Sequence, residues 1–483
     1  MKRITVVYII FILAGIGSAM AQSINSKEDS FSTLYGEDVI VRTIPGDPKP
    51  LIYYKGHDGN HYIVYHNAHS YLSPFSSTSF QFPTHITDAE YKINDIVVIN
   101  DRCYFCGSCT SPADGTEGLV GRIDLNSLNA TPPSADFIFL TIKEVKEFYR
   151  IDGTNNTTDY LALVGTTKNS PNPSGVAFVT WDGTLWHYRV YNPDNDDETF
   201  TDIVFTKDGE KVVAVSRLND KPYRFYLRGE LTDTAFNLPA TAMSNFVHRN
   251  TVRTDGLAPQ GSTNPHPTWH YNDVDMRLVA NLSEDEEITV AYECYDDTKP
   301  CESQMVALFQ VDLSGFPANP AMNVTGKQAV FGYFNQPNTL MDVQYIPEDE
   351  TIGLLHKCTA CPNEMTTVVQ FPSWNGYGYI DALQVGPQAH SSMNVYDNKH
   401  IYLAGVDPSD DHLLFFRQDK TLFEHSCYLT YPPARSEALT GNDWGVSHYG
   451  HDVKLLIRDE ENRVLKYVSG TFKVFFTNCQ TAY

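Results

Sequence analysis

The strongest constraint on the fold is a short unit that recurs along the chain. Each unit opens with an acid or amide, runs through an apolar strand and a tight turn into a second apolar strand, and ends after a polar loop with a third. Alternation with a period of two is typical of β-strands, and helical spacing is scarce, so we expect an all-β chain. The seven strong instances open at Asp95, Glu147, Asp202, Asp273, Asp342, Asn394 and Asp452, at intervals of 52 to 71 residues.

Small sheets at this spacing are typical of a β-propeller, because one small twisted sheet cannot bury its faces alone and stacks radially on its neighbours. A β-helix would need a coil period of roughly 20 to 30 residues, and a sandwich of this length would need an internal boundary that the sequence does not show. Seven blades are favoured, and a weaker instance at Asp38 keeps eight open. The last unit ends after three strands, so we expect a strand near Asp38–Arg42 to complete it, closing the ring by pairing of the N- and C-terminal strands.

Two turn motifs support this division into hairpins. Asn100-Asp101 follows the first strand of one unit, and Asp208-Gly209 follows the first strand of another. Asp-Gly is a two-residue hairpin signal, since both central positions of a type I′ turn need positive φ. The segment from Glu144 to Tyr149 could be mistaken for a helix, but we expect helix to be minor.

One unit carries a resemblance to known proteins. Its segments Asn94–Val98, Cys103–Gly107 and Gly118–Asp124 resemble the blade signature of secreted β-propeller proteins of unknown function from Gram-negative bacteria of the gut. The resemblance covers one blade and implies the fold and export. It implies no catalytic residue.

The N-terminus predicts export. Lys2 and Arg3 precede an apolar run, and Ala19-Met20-Ala21 is a cleavage pattern, so residues 1–21 are interpreted as a signal peptide, 22–36 as a flexible segment and 37–483 as one propeller domain. The run is too short to span about 30 Å of hydrocarbon, so no membrane insertion is expected after cleavage. The expected location is the periplasm or outer surface of a Gram-negative cell, or the medium. A net charge of −24 argues against nucleic-acid binding, because there is no basic surface to release phosphate counterions.

Cysteines suggest disulfides in the loops. Cys294 and Cys301 flank one connection between a second and a third strand, and Cys358 and Cys361 lie at the same point of their own unit, as does Cys109. Disulfides are permitted in an exported protein, so bridges could staple loops on one face of the ring. The alternative for Cys358-x-x-Cys361 is a redox motif, which lacks its βαβ context.

Cys103, Cys106 and Cys109 resemble the start of an iron–sulfur ligand run. A fourth ligand is missing, and a strand would direct Cys106 away from the other two. We therefore expect Cys106 to be a small buried residue between blades, with no cofactor.

The repeated acids have two interpretations. Glycosidase propellers place carboxylates at the axial ends of their innermost strands, about 5 to 9.5 Å apart. A side chain that recurs in every blade is better explained by turns or hydrogen bonds between blades, whereas catalysis breaks the repeat.

One segment does break the repeat. The insertion from Phe236 to Asn272 is rich in proline and has an aromatic end, and long loops of this kind are often functional. Pro265 and Pro267 disfavour a helix that would bring His266 and His270 together, so no metal site is expected. The candidate binding residues are His266, Trp269, His270 and Tyr271.

These observations favour a monomeric binding protein that recognises a glycan or a protein partner through loops on one face. Trp and Tyr stack on sugar faces and anchor protein interfaces. The alternative is a carbohydrate-active enzyme, a glycoside hydrolase or lyase, with carboxylates at the channel mouth. A purely structural surface protein is a third interpretation.

Overall fold

The structure is a computed structural model, and apart from one short helix, α1 (Leu125–Leu128), its described elements are β-strands. The prediction of an all-β chain is confirmed. In the part of the chain that is described, no helix is long and apolar enough to cross a membrane. The described residues are 26–44, 47–65, 76–80, 89–128, 137–155, 159–168, 174–192, 198–209, 211–218, 221–228, 246–249, 269–271, 277–280, 287–296, 305–312, 323–331, 338–347, 351–358, 366–371, 381–384, 389–396, 400–407, 411–418, 436–439, 454–458 and 464–469.

The first half of the chain forms four antiparallel sheets, numbered here in chain order, in which each strand pairs with the next. Sheet 1 contains β1 (Ser26–Ile44), β2 (Asp47–Gly56), β3 (His61–Tyr65) and β4 (Ser76–Phe80); sheet 2 contains β5 (Glu90–Ile99), β6 (Arg102–Ser111), β7 (Gly115–Asp124) and β8 (Phe137–Ile142); sheet 3 contains β9 (Val145–Asn155), β10 (Asp159–Thr167), β11 (Ser174–Trp181) and β12 (Trp186–Tyr191); sheet 4 contains β13 (Glu198–Phe205), β14 (Val212–Leu218), β15 (Lys221–Arg228) and β16 (Phe246–Arg249).

The second half continues the pattern with sheets 5 to 7. Sheet 5 contains β17 (Trp269–Tyr271), β18 (Arg277–Ala280), β19 (Glu287–Asp296), β20 (Met305–Asp312) and β21 (Asn323–Phe331); sheet 6 contains β22 (Asn338–Ile346), β23 (Thr351–Cys358), β24 (Thr366–Phe371) and β25 (Asp381–Gln384); sheet 7 contains β26 (Ala389–Tyr396), β27 (His400–Val406) and β28 (His412–Gln418). β29 (Ser436–Leu439) pairs with β21 at the edge of sheet 5, and β30 (Lys454–Arg458) pairs with β31 (Val464–Ser469).

Strand β1 belongs to two sheets. Its first part, from Ser26, pairs with β28 of sheet 7, and its second part, from Gly36, pairs with β2 of sheet 1. One sequence-based expectation is corrected here. The residues that pair with another sheet lie within Ser26–Tyr35, opposite β28, whereas Ile40–Arg42 of the predicted closing strand pair with β2 and not with the strands after Asp452, a residue that is not described. Residues 26–36, assigned from the sequence to a flexible segment, belong to β1.

The core lies between neighbouring sheets. Tyr104 and Cys106 of sheet 2 pack with Phe148 and Leu161 of sheet 3. The same pairwise packing joins sheets 1 and 2, 3 and 4, 6 and 7, and 7 and 1. The sheets joined by these clusters therefore bury faces against their neighbours, because a four-stranded sheet is too small to form a core by itself.

The insertion and one of the turns differ from expectation. Phe246–Arg249 forms the fourth strand of sheet 4, so the segment from Phe236 to Asn272 is not a continuous loop. Asn100 has the expected positive φ of 55°, in a two-residue turn between Ile99 and Arg102. Asp208-Gly209 instead lies in a longer loop, in which the Thr206 N–H donates to the Lys211 carbonyl and Gly209 has a φ of 71°.

Candidate functional site

One cavity of about 900 Å³ is lined by a strand from each of the seven sheets. These strands are β1, β5, β9, β13, β18, β22 and β26. The wall combines apolar and polar residues, and it has more carboxylates than cations. Its charged side chains are Glu37, Asp38, Asp95, Asp152, Asp202, Asp342 and Asp411, together with Arg42, Arg150 and Arg277, and His57 also lines it.

A β-bulge interrupts β5, β9, β13, β22 and β26. A bulge inserts one extra residue into one strand and re-aims the side chains that follow it. The residue just after the bulge is an aspartate in β5, β13 and β22, an arginine in β9 and a serine in β26. The residues at this position are Asp95, Arg150, Asp202, Asp342 and Ser392.

The positions of these bulges correct part of the match between the repeated units of the sequence. The units that were aligned on Glu147 and Asn394 have Arg150 and Ser392 at the position of Asp95. The sequence pattern, an acid or amide before an apolar strand, does not reveal this shift of two or three residues, because Glu147 and Asn394 also fit the pattern. Asp273 and Asp452 lie outside the described residues.

Asp95 and Asp342 each join two sheets through backbone hydrogen bonds. One carboxylate oxygen accepts from the next residue of the same strand: Ile96 N at 2.8 Å for Asp95, and Val343 N at 2.9 Å for Asp342. The other oxygen accepts from the first strand of the following sheet. Asp95 Oδ2 lies 3.2 Å from Ile151 N, and Asp342 Oδ2 lies 2.8 Å from Met393 N. The interpretation of these acids as hydrogen-bonding groups between blades is confirmed for this pair.

Other side chains make equivalent links. Asp152 Oδ2 of sheet 3 accepts from Phe205 N of sheet 4 at 2.7 Å. Ser392 Oγ of sheet 7 accepts from Val41 N of sheet 1 at 3.1 Å. A buried N–H that loses its acceptor costs about 1–3 kcal/mol, so these links stabilise the contact between sheets.

Arg42 connects three sheets at the cavity wall. Its Nη2 donates to Asp95 Oδ1 at 2.6 Å and its Nε donates to the Ile96 carbonyl at 2.6 Å. Its Nη1 donates to the Val41 carbonyl at 2.8 Å and reaches Ser392 Oγ at 3.4 Å. The guanidinium, 19% exposed, is thus held by groups of sheets 1, 2 and 7.

Three aspartates of the wall, Asp38, Asp152 and Asp342, have raised pKa values, in each case chiefly through burial. Burial raises the pKa of Asp152 to about 6, although hydrogen bonds from the backbone of Phe205 and Gly153 act in the opposite direction. Burial also raises the pKa of Asp342, against the lowering effect of Arg42 and of the Met393 and Val343 N–H groups. A carboxyl that is partly protonated near neutral pH can donate as well as accept a proton, so Asp152 is the wall residue best suited to acid–base chemistry.

One end of the cavity is formed by charged residues from two neighbouring sheets. His57 follows β2 and Asp411 precedes β28; His57 Nε2 lies 3.7 Å from Asp411 Oδ2, and both side chains are more than half exposed. The Gly36 N–H donates to the Asp411 carbonyl at 3.2 Å, which fixes that loop against β1. We call this end, defined by Glu37, Asp38, His57 and Asp411, the mouth.

The three clustered cysteines do not converge. Cys103 and Cys109 belong to the cluster between sheets 1 and 2, and Cys106 to the cluster between sheets 2 and 3, as the strand geometry predicted. All three are buried free thiols, and burial raises the pKa of Cys103 to about 12. Cys109 lies within β6 rather than in a loop, so its predicted part in stapling the loops is wrong.

The predicted binding and disulfide residues are only partly described. Trp269, His270 and Tyr271 form β17, which pairs with the end of β19, and Cys294 lies opposite Tyr271. Cys358 ends β23 opposite Asn338. His266, Cys301 and Cys361 lie outside the described residues, so these assignments stay predictions.

Sequence reasoning missed Arg42, Asp152 and Ser392. Arg42 and Ser392 are neither acids nor amides, so the repeated pattern does not include them. Asp152 lies five residues after Glu147, the residue on which that unit was aligned, and so falls outside the pattern. The signal that could have found such residues is the alternation of apolar and polar residues within each strand that lines the cavity, whatever the charge of the polar residue.

No protein-family model matches this sequence, and no curated protein matches it significantly. Among solved structures, the chain is similar to prolyl oligopeptidase B from Galerina marginata, at 9% identity and a TM-score of 0.44, over 81% of this chain and 49% of that one. It is similar to a putative 6-phosphogluconolactonase from Bacteroides fragilis, at 11% identity and a TM-score of 0.43, over 80% and 95% of the two chains. The match covers about half the length of the prolyl oligopeptidase. Similarity at this level says nothing about the activity of this chain.

Proposed function

We propose that this chain is a seven-bladed β-propeller closed by β1. This is supported by seven successive sheets that each contribute a strand to the wall of one cavity, and by the core clusters that join sheets 1 to 4 in series and sheets 6, 7 and 1. β1 is the outer strand of sheet 7 and the inner strand of sheet 1, which is how an open row of sheets becomes a ring. Together with the predicted signal peptide, this supports an exported propeller.

We infer that its function is binding of a glycan or a protein partner at the mouth side of the ring. The observation that carries this proposal is the use of the wall carboxylates as backbone acceptors. Asp95 and Asp342 each hold N–H groups of two strands, so their charge is committed to structure. In sheets 1 and 7 the connection from second to third strand contributes His57 and Asp411 to the mouth. The candidate residues Trp269 and Tyr271 of β17 pair with the end of β19 in sheet 5.

One observation favours the enzymatic alternative. Asp152 combines a position in a large cavity with a pKa of about 6, which is the property expected of a general acid in a glycoside hydrolase. The isosteric variant Asp152→Asn separates the two functions. An enzyme would lose hydrolysis and keep affinity, whereas a binding protein would keep both its affinity and its lack of turnover.

The direct test is a glycan array with the mature chain from Gln22, read beside a hydrolysis assay and a pull-down with surface proteins. The double variant His57→Ala/Asp411→Ala should weaken binding at least tenfold, because it removes exposed polar groups of the mouth. The matched control is His187→Ala/Asp182→Ala, which removes a second exposed His–Asp pair, 2.8 Å apart, away from the cavity. Equal effects of the two double variants would contradict the proposal.

A further inference from the structure

The outer edge of β28 holds an extended segment that comes from the other end of the chain. We propose that this edge is a strand-binding site for residues 26–35, and that the segment can be exchanged in trans for the same segment of a second copy. The inference rests on the ring closure proposed above, because the segment is the part of β1 that joins sheet 7.

The two parts of β1 are separate in their pairing. On the β28 side the register runs from Ser26 opposite Gln418 to Phe31 opposite Leu413, and then shifts before Tyr35. On the β2 side it begins with Gly36 opposite Gly56. Residues 32–34 therefore form an irregular stretch of the β28 ladder, which ends at Tyr35, one residue before the β2 ladder begins. Residues 26–31 can therefore leave β28 without breaking a pair of the β2 ladder.

The two parts also differ in what holds them. Val39, Ile40 and Val41 are buried, so the second part is anchored by the core. The first part begins Ser-Lys-Glu-Asp-Ser, a run without apolar side chains. Its partner strand supplies the buried residues Leu413, Leu414 and Phe415. Five consecutive polar residues, Ser26–Ser30, supply no alternating apolar face that would fix the register of this end of the strand.

The second part stays in place without the first. Arg42 binds Asp95 of sheet 2, and Thr43 Oγ1 donates to Asn394 Oδ1 of sheet 7 at 2.7 Å. These contacts tie sheet 1 to both of its neighbours from the inner side of the ring. When residues 26–31 dissociate from β28, the edge of β28 is therefore exposed while the strands around the cavity keep their order.

An open sheet edge binds an extended chain by adding it as a further strand, with main-chain hydrogen bonds supplying the affinity. The segment that fits β28 is defined by the pairing itself, antiparallel and in the register Ser26 to Gln418. A second copy of the chain carries the same segment, residues 26–35, with the same irregular stretch at residues 32–34. Two copies can therefore exchange this identical element.

The test uses the mature chain with a protease site inserted between Ser32 and Leu34, cut after folding. A fluorescent peptide of residues 22–35 should then bind at one site per chain, measured by fluorescence anisotropy. Unlabelled peptide should displace it. A scrambled peptide should bind at least tenfold more weakly, and the uncut chain should take up at least tenfold less peptide. Absence of uptake by the cut chain, or equal uptake by the uncut chain, would overturn the proposal.

Two proline variants of the uncut chain give an independent test if the inserted site prevents folding. In an antiparallel edge strand, N–H groups of adjacent residues point to opposite sides, so only one of Asp29 and Ser30 donates to β28. One of the variants Asp29→Pro and Ser30→Pro should raise peptide uptake and the other should leave it low. Equal uptake by both would contradict the proposal.

A cross-link separates failure of exchange from failure of the ring. Thr43→Cys/Asn394→Cys places two thiols where sheets 1 and 7 meet, and oxidation should join them in the folded chain, as read by mass spectrometry. A cross-link without peptide uptake overturns strand exchange and leaves the ring intact. Absence of the cross-link counts against the closed ring itself.

Discussion

Asp342 on β22 accepts a hydrogen bond from the backbone N–H of Met393 on β26, at 2.8 Å, and so links sheet 6 to sheet 7. Its other oxygen accepts from Val343 N at 2.9 Å. The carboxylate is half-buried and lines the cavity. A side chain that would suggest catalysis by its position is therefore part of the contact between two sheets.

The first prediction concerns this link. Asp342→Ala leaves two N–H groups without acceptors and should lower the free energy of unfolding by about 2–4 kcal/mol. Asp342→Asn keeps one oxygen in place and should cost about 1 kcal/mol. Denaturant unfolding at pH 7 measures both. Equal losses for the two variants would show that hydrogen bonding by this oxygen does not hold the sheets together.

The second prediction concerns Asp152 and pH. Its pKa is about 6 in the folded chain against an ordinary value of 3.8, so the folded state binds the proton more tightly. The stabilisation from this group is present below about pH 4 and is lost as the pH rises through 6. Asp152→Asn should remove this pH dependence. The free energy of unfolding of the variant minus that of wild type should therefore be about 2 kcal/mol larger at pH 7 than at pH 4.

Urea unfolding of both proteins between pH 4 and 7 measures that difference. Asp182→Asn is the control with the opposite sign, because hydrogen bonding to His187 lowers the pKa of exposed Asp182 to about 2. Its contribution is present above about pH 4 and is lost as the pH falls. A flat difference between wild type and Asp152→Asn would contradict the raised pKa.

The third prediction concerns His61, which is buried with its Nδ1 2.8 Å from the Tyr53 hydroxyl. Burial, assisted by Lys55, lowers the pKa of His61 to about 4 from 6.5. The folded state therefore favours the neutral ring, and stability falls as the pH drops from about 6.5 towards 4. The glutamine side chain of the variant His61→Gln stays neutral. The free energy of unfolding of this variant, relative to wild type, should therefore rise by about 2 kcal/mol when the pH is lowered from 7.5 to 5.

Unfolding curves for the two proteins at these two pH values decide this. The difference between the proteins isolates His61, because the contribution of Asp152 is common to both. A difference that does not change with pH would mean that His61 titrates alike in the folded and unfolded chains.

The fourth prediction concerns glycines opposite the bulges. A Cβ at Gly107 would collide with the backbone carbonyl of Lys92, and one at Gly165 with that of Glu147. Backbone atoms of paired strands cannot yield, so Gly107→Ala should cost at least about 2 kcal/mol. Gly353→Ala is the matched control in β23. Its Cβ would meet only side-chain atoms at 3.4 Å and beyond, and the thermal midpoint should stay within a few degrees of wild type.

The strands of the best repeats could be predicted from the sequence. The predicted strands of the units of Asp95 and Asp202 lie within β5 to β7 and β13 to β15, except that Leu125 begins the short helix after β7, because half-buried strands alternate clearly. Glu144–Tyr149 is strand from Val145 onward, as tertiary pairing with β10 requires. Phe246–Arg249 was missed because a four-residue outer strand carries too little alternation to be distinguished from a loop.

The candidate site could be predicted only in part. The repeated aspartates pointed to hydrogen bonds between blades, and the opposite directions of Cys103 and Cys106 followed from strand geometry. Arg42 gave no signal, since its partners Asp95 and Ser392 are 53 and 350 residues away in the chain. Such pairs are set by the closing of the sheets onto one another.

By itself, the sequence determined an all-β chain of small repeated sheets, because alternation and turn residues act over a few neighbouring positions. The tertiary structure decided which residue follows each bulge at the cavity, which strand pairs with the first part of β1, and which carboxyls acquire a raised pKa. Those outcomes depend on groups that meet only when sheets distant in sequence pack together and exclude water, and local patterns carry no information about that meeting.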